Sequence, residues 1–344
     1  MKVVKPPFRR LGWKVPMVGV AALVAVAGST SVLYPASAHS LANARQSIFI
    51  DDIALPLTDS FAPPFKNGVD AAASNLGVKV NYLADDESNF ATTSVDNLNV
   101  AIAQHPSAIV DSDCVPSASD PLIKKAVKEG IPVMIVTCGL LSWQADGAIG
   151  YVGNDPYATG QMAAEQLASR GSKNAICVEN VPDNPYQISI CAAMAKEMKA
   201  LGKTATAFGL VTADSENPAA VTSAVGAYLH SHKTVDGIFA LNAVDGTAAL
   251  AAVQTAKLQG KIPVGSLELS KIALQDVKNG SIAFLISEQQ YLEGYLGVLF
   301  AYDYVKYGMV PTEVVATGPS LIDKQNIDKV SSLADQYPGI LGAA

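Results

Sequence analysis

Four polar residues come close behind short apolar runs: Asp113 after Ala108–Val110, Asn242 after Gly237–Leu241, Glu268 after Ile262–Val264 and Glu288 after Ile282–Ile286. Carboxylates and a primary amide exchange hydrogen bonds with hydroxyl groups, and open α/β sheets place ligands at the carboxyl ends of their strands. This set suits capture rather than reaction. The chain has no G-x-S-x-G elbow and no P-loop. It also lacks the G-x-G-x-x-G turn that lets backbone approach a pyrophosphate, and the first strand runs instead into Asp51-Asp52, whose charge repels phosphate. No CxxC is present, and His39, His105, His230 and His232 lack ligand spacing. No enzyme activity, metal or cofactor is expected.

Such residues need strands and helices in alternation to hold them, and the chain supplies that order. Strand-like runs at Ser47–Ile50, Val78–Leu83, Ala108–Val110 and Val133–Val136 alternate with helical patterns at Phe65–Leu76, Thr93–Gln104 and Pro121–Glu129. A second half repeats the scheme, opening at a strand Ala148–Val152 and running to the strands Ile262–Val264 and Ile282–Ile286. Between them lie the helices Tyr157–Ser169, Gln187–Leu201, Pro218–His230 and Gly246–Leu258. Asp155, before Pro156, reads as a helix cap. With 344 residues, 49% hydrophobic and 16% charged, the expectation is two α/β lobes with a cleft between them.

The first 38 residues read separately. Lys2, Lys5, Arg9, Arg10 and Lys14 precede the apolar Val18–Ala27, and Ala36-Ser37-Ala38 offers a cleavage site, the pattern of a secretory signal peptide. The alternative is a retained anchor, because Val15–Ala38 carries no charge. Removing those five cations takes the formal net charge from −7 to −12, which argues against nucleic acid or an anionic membrane as partner. All four cysteines lie in the exported part, where disulfides form. Of three connectivities, the favoured one joins Cys114 to Cys138, at the ends of successive strands, and Cys177 to Cys191, strand to following helix.

Asp59-Ser60-Phe61 ahead of Lys66-Asn67-Gly68, then GIPVMIVTCG, YVGNDPYATG, DGIFALN, GSLELS and EQQYLEGY, occur in order. Together they resemble the type I periplasmic sugar-binding proteins of ABC transporters, closest to the simple-sugar subgroup that includes autoinducer receptors. The resemblance covers residues 45–335 and implies two doubly wound, Rossmann-like lobes joined by a three-crossing hinge. It places the N-terminal lobe at 45–145, returning at about 289–315, and the C-terminal lobe at 146–288 with the tail 316–344.

The resemblance also implies a site. Phe61 matches the first of an aromatic pair whose second member is here Ala62; the other reading of Phe61 is a loop anchor. Asp113 and Asn242 match hydroxyl-gripping positions, against an Asx turn or cap and a plain turn. Glu268 stands where the family has Asp, and Glu288 where it has a hinge Gln. Ile190 stands where it commonly has Arg, a change that removes a cation from the cleft. Trp143, the one tryptophan beyond the leader, is expected at the first crossing, stacked on a ligand or wedging the hinge; Asp59, Tyr186 and Tyr291 are weaker candidates. An acidic cleft without that Arg disfavours anionic ligands and suits a neutral sugar or polyol, or an amine-bearing one. The implied role is delivery of the ligand, from a periplasmic monomer, to an inner-membrane ABC permease. The alternative is a sensor read by a chemoreceptor or histidine kinase.

Overall fold

The computed structural model describes residues 47–342 except 87, 88, 183, 212, 213 and 216. The expected leader, its cleavage point and the alternative anchor lie outside the described residues. Among the described residues no helix is long and apolar enough to cross a membrane.

The first sheet holds β1 (Phe49–Ala54), β2 (Lys79–Ala84), β3 (Ala108–Asp111), β4 (Val133–Val136), β5 (Gly150–Asn154) and β11 (Val315–Gly318), in the order β11-β5-β4-β3-β1-β2. All its neighbours pair in parallel. Alternation along these strands builds a core on each face. Met134 and Val136 face α1 (Ala62–Leu76) and α9 (Gln290–Tyr307), while Val133 and Ile135 face α2 (Phe90–Gln104) and α3 (Pro116–Lys128). Helices α1 and α9 touch backbone to backbone: a Cβ on Gly68 would lie 2.0 Å from the Tyr291 carbonyl oxygen, and one on Gly294 would lie 2.3 Å from that of Phe65.

The second sheet runs β12-β10-β9-β8-β6-β7, built from β6 (Asn174–Glu179), β7 (Thr204–Gly209), β8 (Gly237–Ala240), β9 (Val264–Leu267), β10 (Phe284–Ser287) and β12 (Ser320–Ile322). Only β12 is antiparallel in this sheet. Helices α4 (Pro156–Ser169) and α5 (Pro185–Ala200) cover one face, and α6 (Pro218–Ser231) with α7 (Ala243–Thr255) the other. Helices α8 (Lys271–Asn279) and α10 (Ile327–Gln336) close the edge. Three of these helices begin in the same way. Asp155, Asn184 and Asn217 each accept from backbone N–H groups of the first turn, and a proline follows each.

The chain passes between the sheets three times: from β5 into α4, from β10 into α9, and from β11 through Pro319 into β12. The strand expected to open the second half is therefore β5 of the first sheet, paired with β4. An apolar run states that a strand exists but not which sheet receives it. Several boundaries also differ. Strand β1 runs on to Ala54, so Asp51 and Asp52 lie buried inside the strand rather than in a loop after it. Helix α3 starts at Pro116 and runs through Pro121; so near a helix start, the proline leaves only the Ser117 carbonyl without its i+4 donor. Strand β9 continues through Gly265, where a Cβ would sit 2.2 Å from the Phe284 ring, so this glycine allows close packing rather than ending the strand.

Candidate functional site

A cavity of about 640 Å³ lies between the two lobes. Its wall is assembled from residues beyond the carboxyl ends of strands in both sheets. The first lobe contributes Leu55, Pro56, Asp59 and Phe61 after β1, Phe90 after β2, Cys114 after β3, and Thr137 with Cys138 after β4. The second contributes Asn180, Val181, Asn184, Tyr186 and Gln187 after β6, and Ser215 after β7. Leu241 follows β8, Glu268 follows Leu267 at the end of β9, and Glu288 follows β10.

Asp59 accepts from the Phe61 N–H at 2.8 Å, which turns the chain into α1 and sets the Phe61 ring against Phe65, with 5.9 Å between ring centroids. Phe61 thus lines the cavity and also packs on the first-lobe core. Across the cleft, the Ser60 hydroxyl donates to Glu268 Oε2 at 2.9 Å, a direct bond between lobes. Glu268 sits at φ +63°, a backbone state costly for a residue with a Cβ.

Around Glu288 the crossings meet. The Tyr186 hydroxyl donates to Glu288 Oε1 at 2.5 Å, and Asn154 Nδ2, at the end of β5, donates to the same oxygen at 3.1 Å. Glu293 accepts from the hydroxyls of Thr137 at 2.9 Å and Thr317 at 3.0 Å, and the Gln289 amide reaches the Thr317 carbonyl. A Cβ on Gly318 would lie 2.7 Å from Asn154 Oδ1 and 2.8 Å from the Ser287 carbonyl oxygen, so only glycine lets the three crossings lie this close. Burial pushes the Glu288 carboxyl up to about 6, although the bonds from Tyr186 and Asn154 favour its charged form. Glu293 is raised well above the usual range by burial and then by the neighbouring Glu288.

The expected site residues separate into two groups. Phe61, Glu268, Glu288, Asp59 and Tyr186 come together on the cavity wall. The others lie elsewhere. Asp113, at φ +43°, accepts from Ser119 Oγ at 2.5 Å and Ser142 Oγ at 2.6 Å, so it ties α3 to the loop after β4 while its neighbour Cys114 faces the cavity. Burial pushes the Asp113 carboxyl up to about 6 despite those two bonds. Asn242 caps α7, accepting from the Asp245 N–H at 2.7 Å. Trp143 belongs to the first-lobe core with Ile135 and Tyr151, ahead of β5 and away from every crossing. Ile190 is fully buried in the second-lobe core, one turn further along α5 than Tyr186, and does not itself line the cavity. Tyr291 packs with Tyr295, 6.2 Å between ring centroids, on α9.

The disulfides are Cys114–Cys138 and Cys177–Cys191. The first lines the cavity and packs against the second-lobe core; the second lies inside that core. Asn180 is a wall residue that sequence reasoning passed over, 6% exposed with its Oδ1 bonded to no described residue. Its position directly after β6 was the available signal.

Residues 53–308 match the periplasmic binding protein domain family. The chain belongs to that family. Among curated proteins, this periplasmic binding protein is 26% identical over 308 residues to the xylose/arabinose-binding protein XylF of Sulfolobus acidocaldarius, covering 85% of this chain and 74% of the relative. Among solved structures it resembles a carbohydrate transporter from Acidothermus cellulolyticus in complex with myo-inositol, with a TM-score of 0.77 and 27% identity over 84% of this chain and 99% of that one. A solute-binding protein from Agrobacterium radiobacter in complex with D-arabinose shares the fold, with a TM-score of 0.72 and 23% identity over 84% and 99% of the two chains. The doubly wound pair of lobes is thus that of type I binding proteins.

Proposed function

We propose that this binding protein captures a small sugar or polyol outside the cytoplasm and hands it to an ABC importer in the membrane. One observation carries the reading: the carboxyl ends of strands in both sheets surround a single cavity of about 640 Å³, within the range of small-molecule sites. A sugar ring presents C–H faces and a rim of hydroxyls. Phe61, Phe90, Leu241, Leu267 and the Cys114–Cys138 disulfide supply apolar walls, while Glu268, Glu288, Asn180, Asn184 and Gln187 supply polar groups among them. The relatives named above as sugar-binding support the same ligand class.

The mechanism is capture without chemistry. A ligand touching both lobes stabilises the closed arrangement by its contacts to the second lobe, and the permease reads lobe closure on the outer surface. Glu268 and Glu288 accept ligand hydroxyls from the second lobe and hinge, and Phe61 covers one ring face from the first. Asn180 Oδ1 is the further acceptor.

A thermal-shift screen of purified protein against pentoses, hexoses and cyclitols tests this. A true ligand at about a hundredfold above its Kd adds about 2.7 kcal/mol of stability; no shift with any sugar or polyol overturns the reading. Co-purification with a permease rather than a sensor kinase tests delivery.

A further inference from the structure

The wall of the cavity carries acids and, among its described residues, no base. Among the described residues, Asp85 and Asp86 follow the carboxyl end of β2 and Asp214 follows that of β7. The cavity adds Asp59, Glu268 and Glu288, and no cation lies among its described wall residues. Lysines gather at the opposite ends: Lys79 opens β2, Lys173 and Lys203 directly precede β6 and β7, and Lys233 and Lys261 come shortly before β8 and β9. A separate cavity of about 670 Å³ between α6 and α7, at that far edge, is lined by His230, His232, Lys233 and Lys261 together with Asp236. Lys271 opens α8 behind β9, so bases are not absent from this edge as a whole; the bias is that of the cavity wall, which in a chain with a formal charge of −7 gathers three acids and, among its described residues, no base. A low-dielectric cleft with walls of one sign focuses its field on the ligand and draws in the opposite charge.

Inside the cavity the same bias is present at close range. Glu288 is 3% exposed and accepts both the Tyr186 and Asn154 bonds through Oε1, leaving Oε2. Glu268 is 6% exposed on the same wall. Hydroxyls of a neutral sugar satisfy carboxylate oxygens as hydrogen-bond acceptors but bring no compensating charge into the closed site. An ammonium group does both.

We infer that the preferred ligand is a polyhydroxylated amine, such as an amino sugar, whose ammonium group lies on the Glu268 and Glu288 side of the cavity. The inference rests on the sugar-site reading above and narrows it. The two buried carboxylates hold it; sugar acids are refused by the same charges.

Calorimetric titration of the purified protein with matched sets decides the matter: glucose, glucosamine and glucuronate, then galactose, galactosamine and galacturonate, at pH 7 in low and in 0.3 M salt. The expected result is an amino sugar bound at least about tenfold more tightly than its neutral partner, with no detectable uronate binding. That advantage shrinks at high salt, and in Glu288→Gln or Glu268→Gln both sugars bind more weakly but the amino sugar loses more, so its advantage over the neutral partner falls. Neutral sugars bound as tightly as their amino partners, or an advantage unaffected by both substitutions, overturn the inference and leave the sugar-site reading standing. Failure of every sugar in the sets, alongside pentoses and myo-inositol, overturns both.

Discussion

Asp113 and Glu268 look alike in sequence and do opposite things in the fold. Both follow a strand, both hold a positive φ of 43° and 63°, and both are almost fully buried. Asp113 is consumed by two serines of its own lobe, Ser119 and Ser142, and works as a bracket between a helix and a loop. Glu268 stands on the cavity wall and reaches across it to Ser60. The end of a strand therefore selects where a carboxylate stands but not what it touches. The partners decide, and Ser142 is 29 residues away from the aspartate it binds.

The sharpest test of that contrast is Glu268→Ala, expected to weaken ligand binding about a hundredfold, roughly 2.7 kcal/mol, measured by calorimetry, with little change in the melting temperature of the ligand-free protein. Asp113→Ala should behave in reverse. The buried Ser119 hydroxyl and the half-buried Ser142 hydroxyl each lose a carboxylate acceptor and keep only a backbone carbonyl, so chemical denaturation should report a loss of about 2 kcal/mol while the Kd moves less than about threefold. If Asp113→Ala abolished binding without destabilising the fold, the distinction between the two carboxylates would collapse.

The aromatic pair repeats the contrast at smaller scale. Phe61→Ala should raise the Kd about tenfold, whereas Trp143→Phe should leave it unchanged. The fluorescence of Trp143, held in the first-lobe core, should shift little on saturation with ligand; a large quench would move it back toward the site. The smallest effect is on pH dependence. The Asp113 carboxyl is held near 6 in the fold against an ordinary value of 3.8, so the folded state retains its proton longer than the unfolded chain. Its contribution to stability is complete below about pH 3.8 and is lost as pH rises through 6. Asp113→Asn should flatten the stability profile between pH 4 and 7, followed by denaturant midpoint; a steeper profile would contradict the sign.

Much of the architecture is legible in the residues themselves. Asp155-Pro156 announces the start of α4 because a capping side chain and a proline each suit one helical position; Asn184-Pro185 and Asn217-Pro218 begin α5 and α6 in the same way, although the apolar pattern alone places the start of α5 at Gln187. Apolar runs announce the strands because both faces of each sheet are covered. What the residues do not carry is destination. β5 is as fully buried as β4, and its place beside that strand follows from where the chain crosses. Asn242 carries the same amide whether it grips a ligand or caps a helix, and only the 2.7 Å bond to the Asp245 N–H assigns it to the cap. Tyr186 and Ile190 belong to the same core cluster, yet only Tyr186 also reaches the cavity wall.

The close packing of α1 against α9 has a consequence for the order in which the molecule can be made. The first lobe borrows a helix and its edge strand, β11, from residues 290–318, so at the moment its first five strands leave the ribosome it still lacks the surface that covers Phe65 and Val69. Folding of that lobe must wait for nearly the whole chain. A nascent polypeptide that cannot finish its first half until its second half exists remains threadable for most of its synthesis, and a truncation after β10 should yield not one good lobe but a second half without its edge strand and a first half that never closes.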